Sequence, residues 1–180
     1  MLYRKHLTAE QALQKIRQYC TYQERCHKEV KEKLYSYGLH KSDAEKIIAD
    51  IIENNYLNEE RFAIQFAGGK FQDETVGAKK IQYELQQKGV SPYSIKVALK
   101  ELDESDYAET LHKLASVKWD SLATEHYLTR QAKTQAYLMQ KGFEPELISN
   151  SNQRIEIRFL KTNYVITHLY INTNAIILGR

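Results

Sequence analysis

Apolar positions recur along this chain at helical spacing, and the spacing itself repeats. Three glycines, Gly38, Gly89 and Gly142, stand 51 and 53 residues apart. Eight residues before each are Val30, Ile81 and Thr134; four before are Leu34, Leu85 and Leu138. One residue after come Leu39, Val90 and Phe143, and six after come Ala44, Ile95 and Ile148. Positions eight and four before the glycine share one helical face. Glycine lacks the Cβ that penalises positive φ, so it suits a left-handed helix C-cap, and the apolar residue after it can fold back on the helix end. Each copy therefore predicts a helix, a tight glycine turn and a second helix.

Start signals fill in the unit. Ser42 with Glu45 reads as a capping box, Ser91-Pro92 as a cap followed by proline at the first helical position, and Glu144-Pro145 repeats that placement. A further helix precedes each pair. Thr8 and Gln11 cap the first, with Ala12, Leu13, Ile16, Tyr19 and Cys20 inward. Asn58 caps the second, with Phe62, Ala63, Phe66 and Ala67 inward. The third opens near Ser105 and turns Tyr107, Ala108, Leu111 and Leu114 to the core. The expected fold is all-α: three tandem three-helix repeats over 1–57, 58–102 and 103–152. A unit of about 50 residues rarely buries enough apolar surface alone, so neighbours are expected to stack into an elongated, curved array. The pattern stops in the third copy, whose final helix reads as incomplete. Residues 153–180 alternate polar and apolar and are β-rich, an atypical tail read as a hairpin, a disordered arm or a replacement for a lost end.

Composition changes this picture in two ways. Glycine and proline number 7 and 2 in 180 residues, which favours long uninterrupted elements. The net charge of +3 belongs wholly to the tail, where Arg154, Arg158, Lys161 and Arg180 face Glu156 alone, while residues 1–152 are neutral. A chain-wide basic field is therefore excluded, though local basic stripes are not. Cys20 and Cys26 are too few for a disulfide framework. The N-terminus lacks the apolar core of a leader, and no apolar run approaches the roughly 20 residues of a membrane span. A reduced cytoplasmic protein is expected.

Three runs then carry a family likeness. The middle copy reads Leu57-Asn-Glu-Glu-Arg-Phe-Ala63, then Gly77-Ala-Lys-Lys-Ile81-x-x-Glu84-Leu85-x-x-Lys88-Gly89-Val90. The first copy carries Cys26-x-x-Glu29-Val30-x-x-Lys33-Leu34, and the third Tyr137-Leu-Met-Gln-Lys-Gly-Phe143. Over residues 9–149 these resemble the RecX family of bacterial recombinase regulators. The resemblance implies an elongated helical protein that binds the RecA filament and lowers its strand exchange and ATP hydrolysis. It also implies direct binding of single- or double-stranded DNA by some relatives. Three departures stand out, one being the atypical tail in place of the expected final helix. Cys26 occupies a cap where relatives often have serine, at a cost of about 0.5–1 kcal/mol. Gly68-Gly69 replaces larger residues and is expected to fray its helix end.

Candidate contact residues follow from helix geometry. With Ala78, Ile81 and Leu85 inward, Lys79, Lys80, Tyr83 and Gln87 face out. Lys79 and Tyr83 place a cation and a ring on one face, which suits a phosphate backbone or an acidic protein groove. Arg61 and Lys70 are expected to extend that patch. Lys28 and Lys31, with Arg25 and Lys33, form a second candidate, but Glu24, Glu29 and Glu32 interleave with them as in a salt-bridged exposed helix. Glu101, Asp103, Glu104, Asp106 and Glu109 read as helix-dipole acids or as a site for basic partner groups. Trp119 and the tyrosines read mostly as core and interface filler. No metal, cofactor or catalytic constellation is expected: Cys-x5-Cys fits no zinc signature, and neither a phosphate loop nor a nucleophile elbow is present. The expected protein is a monomeric, non-enzymatic regulator of the RecA filament. The alternative is a helix-turn-helix-like DNA-binding protein or transcription regulator.

Overall fold

The three aligned glycines take φ of 86°, 76° and 91°, all in the left-handed region. Around each runs the same pair of hydrogen bonds. The glycine N–H donates to the carbonyl three residues back, and the next residue's N–H donates five back: Leu39 to Leu34, Val90 to Leu85 and Phe143 to Leu138. This six-to-one closure satisfies orphan carbonyls at the helix end and brings an apolar pair together across the turn. All six residues at eight and four before the glycines are 0% exposed. The repeat seen in the sequence is thus a repeat of backbone geometry.

The computed structural model describes residues 6–150, and the expected tail over 153–180 lies outside the described residues. Among them every regular element is helical. The chain divides into two compact units, Met1–Asp103 and Glu104–Arg180. The first unit holds two helix triads. The first triad is α1 (Ala9–Tyr22), α2 (His27–Ser36) and α3 (Lys41–Glu53). Its core joins Ala12, Ile16 and Cys20 of α1 to Val30 and Leu34 of α2 and to Ala44, Ile47 and Ile51 of α3. Burying each large aliphatic side chain contributes about 1.5–3 kcal/mol before entropy is counted. Thr8 makes the full capping box with Gln11. Cys26 caps α2 without a side-chain hydrogen bond. Burial pushes the thiols of both cysteines up, that of Cys20 to about 11, which marks them as unreactive core groups.

The expected capping box at Ser42 does not form. The helix α3 starts at Lys41 behind His40, so Ser42 lies inside the first turn. The reason is the glycine turn. Leu39 is held to the Leu34 carbonyl, which leaves one residue before the chain must turn helical.

The second triad is α4 (Glu59–Glu74), α5 (Ala78–Gln87) and α6 (Pro92–Lys100). Asn58 caps α4 through the Arg61 N–H, and Ser91 caps α6 with Pro92 at its start. The helix α4 buries Phe62, Ala63, Ala67 and Phe71, with Phe66 half-buried. It does not fray at Gly68-Gly69. It runs on to Glu74 and stops at Thr75, in the left-handed region at φ 49°. Phe71 anchors the turn beyond the glycines, and Lys70 ties it to α5 through Glu84 at 2.9 Å.

The second unit contains α7 (Glu104–Asp120), α8 (Tyr127–Lys141) and a helical stretch over 145–150. The face that α7 buries is Tyr107, Leu111, Ala115 and Trp119. Ala108, expected inward, is exposed, because the buried stripe follows every fourth residue. Tyr107 packs on Phe143 at 5.2 Å and donates its hydroxyl to Glu144 at 2.7 Å. Arg130 is buried, lies 4.3 Å over the Trp119 ring and donates to the Trp119 carbonyl at 2.6 Å. Trp119 is core, as expected. Most described tyrosines are not: Tyr22, Tyr83 and Tyr93 are among the exposed ones.

The glycines separate by role. A Cβ on Gly68 meets nothing within 4 Å, whereas Gly89 needs its positive φ. Gly68→Ala is expected to stabilise the protein by about 0.5–1 kcal/mol, because Ala costs less entropy in a helix. Gly89→Ala is expected to cost about 1–2 kcal/mol. Urea unfolding of the two variants checks both signs.

Candidate functional site

The segment 78–100 carries Lys79, Lys80, Lys88, Lys96 and Lys100 against Glu84 alone. Ile81 and Leu85 are fully buried, which turns Lys79, Lys80 and Tyr83 outward. All three are exposed, Tyr83 at 61%. Lys79 and Lys80 sit in the first turn of α5, which holds no acid and starts at Gly77 without a side-chain cap. A helix N-terminus carries partial positive charge, so each lysine there costs about 0.3–1 kcal/mol instead of stabilising. Two cations at the wrong helix end, with no ion-pair partner among the described residues, serve the fold poorly and an anionic surface well. On α6, Tyr93, Lys96 and Lys100 are also exposed.

The other predicted contacts lie elsewhere. Arg61 donates from Nε to Glu24, and its terminal nitrogens donate to the Asn55 side chain and carbonyl at 3.1 Å. Lys70 donates to Glu74 at 2.7 Å and pairs with Glu84, and these two carboxylates hold its ammonium above the usual lysine range. Lys28 donates to the Gln87 carbonyl at 3.4 Å. Lys31 is half-buried on α2. Of the seven candidates, Lys79, Lys80 and Tyr83 form the open face. Arg61, Lys70 and Lys28 instead hold elements together.

Their partners define a seam between the two triads of the first unit. Glu29 of α2 pairs with Lys88 at 2.7 Å, and the Lys88 ammonium lies 5.3 Å from the Phe66 ring centre and 5.8 Å from that of Phe62. His27 Nδ1 approaches Glu59 at 3.6 Å. Glu59 also accepts from the Ser91 N–H and from the hydroxyls of Ser91 and Ser94. Burial alone would push this carboxyl up, but the two serines and His27 together bring it below the usual range. A cleft of about 310 Å³ beside the seam is lined by Glu24, Phe62, Phe66, Lys70 and Glu74, among others. Its charged groups are largely neutralised internally. Of the acids interleaved with the first-triad cations, Glu29 thus meets both Arg25 and Lys88, and Glu24 meets Arg61 of the next triad. Glu104 and Asp106 occupy the first turn of α7, as the dipole reading requires.

Sequence reasoning missed Lys96, Lys100 and Tyr93. Their signal was present. Lys96 and Lys100 are four apart and off the buried Ile95–Ala98 face, so they share an outer helix surface.

Two consequences are measurable. A carboxyl held below its unfolded value contributes stability that is complete above that value, about 4.3, and is lost as pH falls through the folded one. Ser94→Ala is therefore expected to cost about 1 kcal/mol at pH 7 and less below about pH 4, by urea unfolding at both pH values. A cost independent of pH would remove Glu59 as the anchor. A double-mutant cycle of Glu29→Gln with Lys88→Met should give a coupling of about 0.5–1 kcal/mol that shrinks towards zero in about 1 M salt.

Comparison with known proteins assigns these modules. The RecX second three-helix domain matches residues 58–99, and the RecX third three-helix domain matches residues 104–150. The regulatory protein RecX of Oceanobacillus iheyensis is 28% identical over 138 residues, 77% of this chain and 51% of that protein. That of Streptococcus uberis is 29% identical over 140 residues, 77% of this chain and 53% of that protein. The chain thus spans about half the length of these two relatives. The Serratia proteamaculans protein is 35% identical over 107 residues, 59% of this chain and 61% of its own length. The fold is shared with the crystal structure of RecX from Lactobacillus salivarius, at a TM-score of 0.77 and 24% identity, covering 83% of this chain and 97% of that one. With two successive RecX three-helix domains, and relatives matched over most of its length, this chain belongs to the RecX family.

Proposed function

We propose that this protein binds the RecA nucleoprotein filament and inhibits its recombinase and ATPase activities, and so modulates homologous recombination and DNA repair. It acts as a binding regulator without chemistry of its own. The observation that carries the reading is the uncompensated cationic start of α5, within a protein of the RecX family. Most other cations of the first unit are engaged in ion pairs, ring contacts or carbonyl hydrogen bonds. Lys79 and Lys80, with the exposed Tyr83 one turn on, are left to meet a partner. A nucleoprotein filament offers both phosphates and acidic protein surface to such a face. Binding the filament in preference to free subunits shifts assembly by mass action.

Direct binding of bare DNA is the second reading, favoured by the same trio and by the helix–turn–helix outline of α5 and α6. It is separated by its steep salt dependence.

The test is the DNA-dependent ATPase of RecA with this protein titrated in. The expected result is inhibition by the full chain. The half-inhibiting concentration should rise about tenfold, or about 1.4 kcal/mol, in Lys79→Glu/Lys80→Glu. Absence of inhibition at several-fold excess over RecA would reject the proposal.

A further inference from the structure

The second triad presents another groove, between α5 and α6, enclosing about 370 Å³. One wall is Gln82 and Gln86 of α5; the floor is Pro92, Ile95 and Leu99 of α6; Lys96 and Lys100 form the rim. No carboxylate lines it. Lys79 stands three residues before Gln82 and extends the α5 wall. None of Lys79, Lys96 and Lys100 has an ion-pair partner among the described residues. The cleft beside α4 makes the contrast. There Glu24 is met by Arg61 and Glu74 by Lys70. That cleft also carries Asp73, so acids line it, whereas none lines the α5–α6 groove.

We propose that the α5–α6 groove docks an acidic segment of a partner protein. One or two apolar side chains of that segment seat on Pro92 and Leu99, above the buried Ile95, and flanking carboxylates pair with Lys96, Lys100 and Lys79. The Gln82 and Gln86 amides, one turn apart, each offer a donor and an acceptor to the main chain of the segment. The nine residues of α6 span about 13 Å, the reach of about four extended residues.

Three features favour a peptide over other occupants. The floor is apolar, which rewards a buried side chain and gives a phosphate or base edge nothing to bond. The exposed rings able to stack on bases, Tyr83 and Tyr93, do not line the groove. The chain's own tail is basic, with Arg154, Arg158, Lys161 and Arg180 against Glu156, so like charge disfavours it here. The assignment goes beyond the filament reading, because it concerns what this groove accepts whichever protein supplies the segment.

The experiment uses the full chain and a fluorescein-labelled peptide of about eight residues in which Asp and Glu alternate with Leu and Phe, read by anisotropy. Saturable binding is expected, weakened at least about tenfold by Lys96→Glu/Lys100→Glu. Leu99→Gln should weaken it as well, while unlabelled acidic peptide competes and a matched lysine peptide does not. Both lysines are exposed, so circular dichroism should show the double variant folded. Absence of saturable binding, or binding indifferent to the double reversal, overturns the proposal. So does displacement of the peptide by a thymidine oligonucleotide at lower concentration than by the peptide itself, which would make nucleic acid the occupant. The readout contains no RecA. Loss of ATPase inhibition with peptide binding intact therefore rejects the filament reading alone, and the converse rejects the groove alone.

Discussion

The constraint on which this structure depends is backbone closure at a left-handed glycine. At Gly38, Gly89 and Gly142 the chain reverses within a few residues, and the following apolar residue is tied to the leucine carbonyl five back. That bond fixes where one helix stops and leaves little freedom in where the next begins. It also forces the leucine and the residue after the glycine to one side, where they join the core. The inward faces of α2 and α5 follow from this, and so does the outward direction of Lys79, Lys80 and Tyr83. A surface that looks like a matter of charge is placed by a turn.

Charge then sorts itself by location. The described helices carry nearly balanced charge, but balance in sum hides two regimes. Along the seam, Glu24, Glu29 and Glu59 meet Arg61, Lys88 and His27, and the long side chains are consumed in joining the triads. On α5 and α6 the lysines have no such use. Exposed ion pairs contribute little each, so the seam acts more by setting register than by adding stability. The α5–α6 face gains its character by contrast. It is cationic because Glu84, the one acid between 78 and 100, is spent on Lys70.

What the sequence disclosed follows the same division. Residues bound to backbone geometry were legible: the buried positions eight and four before each glycine, the caps at Thr8, Asn58 and Ser91, and the outward trio on α5. Residues whose role depends on a neighbour far along the chain were not. Arg61 and Lys70 look like free cations on a helix face, and nothing local reveals that Glu24 lies 37 residues away in sequence and yet in contact. The reading of Ser42 as a cap failed because a residue pattern was weighed without the turn preceding it. Gly68-Gly69 misled because propensity yields where Phe71 and Lys70 anchor the helix beyond.

The seam has a consequence for how the first unit responds to salt. Within the first triad, an ion pair such as Arg17 to Asp50 spans 33 residues, and the glycine turns close over five. The seam contacts of Lys88 and Lys28 span 59, and those of Arg61 to Glu24 and His27 to Glu59 span 37 and 32. Loop-closure entropy grows slowly with length, so the two kinds of contact differ less in separation than in chemistry: an apolar core within the triad, mostly charged groups across the seam. The ionic join is a clasp between modules, and added salt should loosen the clasp before it loosens an apolar core.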